Sequence, residues 1–147
     1  MSEDKKVLLE VDHLFKYFDT PRGKLHAVDD VTFKIARGTT LGVVGESGCG
    51  KSTLGRTILR LLPSTGGKII FDGEDITHVS DSEMLRLRKE MQIVFQDPFS
   101  SLDPKMTVSQ IIAEPLKIHK IFRNKKELDN RVSELMEIVG LDDRYVN

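Results

Sequence analysis

The sequence predicts an α/β protein, and three observations carry that reading. In the N-terminal third, short stretches alternate apolar and other residues with a period of two. An apolar, β-branched segment, Thr39 to Val44, then runs straight into a glycine-rich loop that is followed by helical periodicity. In the last third, apolar residues recur only at helical spacing. The 147 residues are 39% hydrophobic and 31% charged, enough chain and enough apolar mass for a real core. A net charge of −1 gives no electrostatic argument for nucleic-acid binding, and none is expected. No apolar run approaches the roughly 20 residues that span a bilayer. The N-terminus lacks the apolar stretch of a signal peptide. A single cysteine excludes an internal disulfide framework and fits a reducing compartment, so the expected address is the cytoplasm.

The elements follow in order. Val7, Leu9 and Val11 alternate, as do Val31, Phe33 and Ile35, which predicts two strands joined through the turn chemistry of Asp19-Thr-Pro-Arg-Gly23. Thr39 to Val44, short, β-branched and apolar, is a third strand. Leu54, Ile58, Leu61 and Leu62 predict a helix that Pro63 stops. Lys68 to Phe71 is a strand entering an Asp72-Gly73 hairpin turn. Ser80 with Glu83 forms a capping box for a short helix through about Lys89, and Met91 to Phe95 is a further buried strand. Thr107 with Gln110 opens a helix interrupted near Pro115. Asn124 with Glu127 opens the last helix, with Leu128, Val132, Leu135, Met136 and Val139 on one face and Gly140 as its stop.

The chemistry is concentrated in Gly45-Glu-Ser-Gly-Cys-Gly-Lys-Ser52, which fits the phosphate-binding P-loop pattern in full and sits between a strand and a helix, as that loop requires. Gly45, Gly48 and Gly50 let the backbone curl until successive N–H groups, those of Glu46, Ser47 and Cys49 among them, point inward as an anion nest. The following helix adds its positive N-terminal end. Lys51 brings a point charge to the β and γ phosphates, the Ser52 hydroxyl can ligate Mg²⁺, and Thr53 is a second phosphate contact. Cys49 reads as a small loop residue.

Beyond the loop, the chain resembles the ATP-binding subunits of ABC transporters. The likeness runs along almost the whole sequence, through His26-Ala-Val-Asp-Asp-Val-Thr-Phe33, the P-loop continued to Arg56, Gly67-Lys-Ile-Ile-Phe-Asp-Gly73, and Val94-Phe-Gln-Asp-Pro-Phe-Ser-Ser-Leu-Asp-Pro104. The last of these is similar to the dipeptide and oligopeptide importer branch, whose near neighbours carry nickel. That branch usually has Asn where this chain has Asp103, and often Arg where it has Lys105. The resemblance implies an ABC-type P-loop NTPase fold with residues 1–97 as the N-terminal part of the ATPase core and 98–147 as the start of a helical subdomain. It implies ATP and Mg²⁺ as ligands, with Gln96 as the glutamine that helps hold the metal beside Ser52. On its own, a glutamine ending a strand reads as a solvated loop residue. The aromatic that stacks on adenine is expected within Leu14-Phe-Lys-Tyr-Phe18, at Phe18 or alternatively Tyr17, with Val28 flanking the base. Phe99, Leu102, Met106, Ile111 and Ile112 are candidates for the socket that receives a transmembrane permease subunit, although Ile111 and Ile112 equally suit the subdomain's own core.

The same resemblance marks what does not follow the P-loop. No acidic residue after an apolar strand, no Leu-Ser-Gly-Gly-Gln signature and no switch histidine are found, so the catalytic groups are expected beyond Asn147 and none is assigned within the chain. Asp72 ends the nearest imitation of the acidic motif, but it is followed by glycine and precedes Gln96. His13, His26, His78 and His119 lack metal-ligand spacing. The expected parent is the ATPase subunit of a peptide importer. It would sit on the cytoplasmic face of the membrane through its permease subunits, paired with a second ABC ATPase subunit and served by an extracytoplasmic peptide-binding protein. The alternative is a stand-alone nucleotide-binding module without hydrolysis. A soluble role in translation or DNA repair is opposed by the Gln-Asp-Pro-x-x-Ser-Leu segment. As the front part of a larger core, the chain is expected to be inactive in hydrolysis, of low stability, and to leave Leu41, Val43 and Val94 exposed or abnormally covered.

Overall fold

The computed structural model describes residues 6–97 and 101–141, in two compact units, one running to Met91 and the other starting at Gln92. The sequence places that division a little later, at 97/98.

The first unit is built on one sheet. β1 (Val7–Thr20) and β2 (Gly23–Ala36), 14 residues each, form an antiparallel hairpin that turns at Pro21 and Arg22. The Thr20 hydroxyl locks the turn, donating to the Gly23 carbonyl at 2.6 Å and accepting from the Arg22 N–H at 3.3 Å. β3 (Gly66–Phe71) pairs antiparallel with the other edge of β1, and the short β4 (Glu74–Asp75) pairs with β3, giving the order β2-β1-β3-β4. Asp72 and Gly73 connect β3 to β4 with φ of 47° and 86°, the paired positive values of a type I′ hairpin turn.

The long hairpin is not regular. Val11 and Leu14 are both fully buried although three residues apart, a spacing that would place them on opposite faces of a plain strand. The register slips between them, and His13 sits at φ 45° in the bulge. A second slip on β2 puts Asp30 at φ 52°, and the two strained residues meet, His13 Nδ1 lying 2.5 Å from Asp30 Oδ1. β3 packs against this bulge so closely that a Cβ on Gly67 would lie 2.1 Å from the His13 carbonyl oxygen, and only glycine fits there.

Two helices cover the sheet. α1 (Lys51–Ile58) packs Leu54 and Ile58, and α2 (Asp81–Leu87) packs Met84 and Leu87, onto Val11, Leu14, Val28, Ile69, Phe71 and Ile76. Eight residues are too few for a helix to persist alone in water, whereas each buried aliphatic side chain contributes about 1.5–3 kcal/mol, so packing on the sheet holds α1 in place. α2 carries the capping box expected of Ser80 and Glu83. α1 ends at Ile58, earlier than Pro63 implied, because Arg60 takes the left-handed conformation at φ 56° and closes a Schellman cap, Arg60 N–H to Thr57 O at 3.0 Å and Leu61 N–H to Arg56 O at 2.9 Å.

Two predicted strands are absent. Residues 39–46 are irregular, with Leu41, Val43 and Val44 exposed at 45%, 51% and 94%. Residues 91–95 are irregular too, and Val94 is 93% exposed. Their apolar runs are those of strands buried on both faces of a parallel sheet, and among the described residues neither is paired with a strand. The exposure expected of Leu41, Val43 and Val94 is observed.

The second unit is a helix pair. α3 (Val108–Ile118) opens with the Thr107–Gln110 capping box, and α4 (Lys125–Ile138) opens with Asn124 Oδ1 accepting from the Glu127 N–H at 2.8 Å. Ala113, Leu128, Val132 and Met136 form its core, with Ile112, Leu116 and Phe122 packed against it. Pro115 does not interrupt α3. It lies on the exposed side, and the missing N–H is outweighed by the packing of Ile112, Ala113 and Leu116 around it. Val139, expected on the buried face of α4, is 66% exposed beyond the helix end.

Candidate phosphate-binding site

The loop from Gly45 enters α1 through Gly50, whose φ of 97° is left-handed and whose carbonyl accepts the helix's first hydrogen bond, from Leu54 N–H at 2.8 Å. A Cβ at Gly50 would lie 2.0 Å from the carbonyl oxygen of Ala27 on β2. Ala27 falls at a register slip of the hairpin, between the pairs Lys16–Val28 and Tyr17–His26. The bulged edge of the sheet and the glycine of the loop are thus fitted backbone to backbone.

The two elements enclose a cleft of about 300 Å³. Its hairpin wall is Phe18, Leu25, His26 and Ala27, and its loop wall is residues 48–53. Lys51 lies in the loop wall, its Nζ donating to the Gly45 and Glu46 carbonyls at 2.8 and 2.6 Å. α1 has no acidic residue in its first turn, and among the described residues no carboxylate lines the cleft. The field at the cleft is therefore that of an ammonium and a helix N-terminus, which favours an anion. Backbone N–H groups curled by Gly48 and Gly50, at φ 82° and 97°, supply the donors.

The sequence-predicted residues divide in the structure. Gly48, Cys49, Gly50, Lys51, Ser52, Thr53 and Phe18 are brought to one cleft, and Gly45 and Glu46 orient the lysine. Ser47 lies in the turn between them. Tyr17 does not line the cleft; its ring stacks on His26 at 3.9 Å and its hydroxyl donates to Asp29 at 2.5 Å. That bond to the Asp29 carboxylate, with burial second, pushes the phenol up to about 12, and Asp29 is held below the usual carboxylate range by Tyr17 and then His26. Val28, expected beside the base, is 4% exposed in the core of the sheet, and its neighbour Ala27 takes the place in the cleft wall. Its side chain alternates away from the cleft along β2. Gln96 lies in the second unit, exposed and irregular. Sequence reasoning missed Leu25 and His26 as cleft residues. Their signal was the hairpin register, which sets them opposite Phe18 and Tyr17. Of the proposed socket residues, Leu102 is 49% exposed, Met106 and Ile111 are half-buried, Ile112 packs in the helix pair, and Phe99 lies outside the described residues.

The donor set fits a magnesium-bound phosphate. Mg²⁺ keeps most of its waters and takes one or two protein oxygens beside phosphate, and Ser52, a hydroxyl residue, lines the cleft next to Lys51.

Comparison with known proteins shows the family and the fold. The model of the ABC transporter family matches residues 28–147. The oligopeptide transport ATP-binding protein OppF of Bacillus subtilis is 52% identical over 141 residues, which cover 95% of this chain and 46% of that protein. OppF of Salmonella typhimurium is 42% identical, over 99% of this chain and 46% of its own length. The chain thus spans about half the length of the curated relatives it matches. Among solved structures, the dimeric bacterial ABC transporter cassette MJ0796 superposes with a TM-score of 0.76 at 24% identity, over 95% of this chain and 60% of that one, a likeness of fold. The cbiO1 subunit of the Clostridium perfringens cbiONQ transporter gives 0.66 at 28% identity, over 93% of this chain and 52% of that one.

Proposed function

The chain belongs to the ABC transporter family, and on that premise we propose that it carries the nucleotide-binding half-site of an ATPase subunit that drives oligopeptide import. The observation that carries the reading is the fit of Gly50 against Ala27, which sets Lys51 and the start of α1 at one end of a cleft walled by Phe18.

Binding follows from these residues. Triphosphate oxygens take the curled N–H groups of the loop and the end of α1, and Lys51 exchanges its bonds to the Gly45 and Glu46 carbonyls for the β and γ phosphates. Ser52 would hold Mg²⁺, which supplies charge neutralisation on the phosphates when bound. The base stacks on Phe18, a contact worth about 1–3 kcal/mol whichever base is present. In the importer, this subunit works with permease subunits and a second ATPase subunit on the cytoplasmic face of the membrane, supplied by an external peptide-binding protein.

The test is uptake. Lys51→Ala placed in the native gene should abolish accumulation of labelled oligopeptides in the source cells while leaving uptake of free amino acids unchanged. Peptide uptake that survives the substitution would refute the reading.

A specific observation also favours binding without hydrolysis by this chain alone. Among the described residues no carboxylate lines the cleft, and Asp72, the nearest sequence imitation of the Mg²⁺-organising acid, is held in its turn by Lys6 and Arg37 at 2.8 and 2.9 Å. Mg-ATP turnover by the chain that disappears in Lys51→Ala would contradict this.

A further inference from the structure

Lys16 is the only charged side chain in the buried set among the described residues, at 9% exposure. Its stem is covered while its ammonium keeps some access to water, so burial does not force a carboxylate partner on it. None of the ion pairs among the described residues includes Lys16. Its Nζ lies instead over the Phe18 ring, 4.8 Å from the centroid, within the range of a cation–π contact. The two residues are two apart on β1 and share a face of the strand. Phe18 lines the phosphate cleft and Lys16 does not.

We propose that Lys16 is a positioning residue for the nucleotide base: its ammonium holds the Phe18 ring from one face, so that the other face is presented to the cleft as a stacking platform. This rests on the nucleotide-binding reading above. The contact acts in two ways. It fixes the ring's rotation before the base arrives, so less freedom is lost on binding. It also draws ring electron density toward the cation, which lessens repulsion from the π cloud of a purine on the far side. Because both effects act on a ring face, they are blind to the edge of the base. Adenine and guanine nucleotides should depend on Lys16 equally.

The test separates the base from the phosphates. Titration calorimetry on the full chain compares Mg-ATP, Mg-GTP and Mg-tripolyphosphate for the unmutated protein, Lys16→Met and Lys16→Arg. Lys16→Met, which keeps the stem and removes the charge, should weaken ATP and GTP alike by about three- to tenfold and leave tripolyphosphate unchanged. Lys16→Arg should restore nucleotide affinity to within about twofold, since guanidinium also stacks on aromatic faces. Unaltered nucleotide binding by Lys16→Met, or an equal loss for tripolyphosphate, would overturn the proposal; the second result would make Lys16 merely structural. If the unmutated chain bound ATP no better than tripolyphosphate, the proposal would fail while phosphate binding stood. If it bound neither, the nucleotide reading would fail and take the proposal with it. A measurement without substitution guards against a variant that does not fold. The ring-shifted Lys16 ε-methylene protons should move on adding ATP and stay fixed on adding tripolyphosphate, and insensitivity to ATP would count against the proposal.

Discussion

At the scale of single residues, Lys51 and Gly50 carry the most exacting demands. Lys51 makes charge-assisted bonds, each worth about 1.5–3 kcal/mol, so Lys51→Met should weaken Mg-ATP about 10- to 100-fold with little change in the melt, as equilibrium dialysis would show. Gly50→Ala should lose nucleotide binding as well, because its Cβ would stand 2.0 Å from a backbone oxygen that cannot yield without moving β2. An alanine variant that bound ATP normally would show that the close approach to Ala27 is not needed. The loop was legible in the sequence because its spacing states its own geometry: glycines where the chain curls, a lysine and a hydroxyl where the helix starts. Which of Phe18 and Tyr17 lines the cleft was not, since it turns on Asp29 and His26, which hold Tyr17 from the neighbouring strand. Val28 was misplaced for a related reason, as one step along a strand exchanges cleft for core.

At the scale of elements, all three of α1, α3 and α4 end in the same Schellman geometry, but only one has the residue that announces it. Gly140 closes α4 at φ 71°, whereas Arg60 and Lys120 close α1 and α3 at φ 56° and 51°. A left-handed non-glycine residue costs roughly 1–2 kcal/mol. Lys120→Gly should therefore raise stability by up to about 1 kcal/mol, and Gly140→Ala should lower it by a similar amount, in urea melts. A destabilising Lys120→Gly would mean that the lysine side chain offsets its own strain. The early end of α1 was hidden from the sequence because arginine is not a stop signal. The bulge in β1 was partly visible: the apolar alternation of Val7, Leu9 and Val11 resumes out of phase at Leu14, a slip that a bulge must absorb.

That bulge also gives the hairpin a pH dependence. Asp30, by hydrogen bond and then by charge, raises His13 above the ordinary histidine value of 6.5. The folded pKa exceeds the unfolded one, so this contribution is fully present below about pH 6.5 and is lost as pH rises through the folded value. Asp29, Asp72, Asp75 and Glu83 are shifted the other way, held below the usual carboxylate range by their hydrogen-bond partners. Their contribution is present at neutral pH and is lost as pH falls through the depressed values. Thermal melts from pH 6 to 9 should decline on the alkaline side, and Asp30→Asn should flatten that decline without changing the acid limb. An unchanged alkaline limb in Asp30→Asn would contradict the assignment to this pair.

At the scale of the whole molecule, the antiparallel sheet, the P-loop helix and the helix pair form without further strands, whereas the apolar segments 39–46 and 91–95 do not pair. Local pattern read them as strands and the structure does not form them; a strand needs a partner edge, and that lies outside what a local pattern encodes. Their exposed valines and leucines are an association hazard. The chain should self-associate with rising concentration in light scattering, and Val43→Lys with Val94→Lys should suppress it. A monodisperse monomer that melts cooperatively well above about 60 °C, beyond the ordinary range for mesophile domains, would contradict this. No described helix is long and apolar enough to cross a membrane.

The most direct test of the central claim, that residues 45–53 cradle a nucleotide's phosphates, is calorimetric titration of Mg-ATP into the folded chain alongside Lys51→Ala. The account predicts saturable one-site binding by the unmutated chain and its loss in the variant. Equal binding by both, or none by a folded unmutated chain, would contradict it.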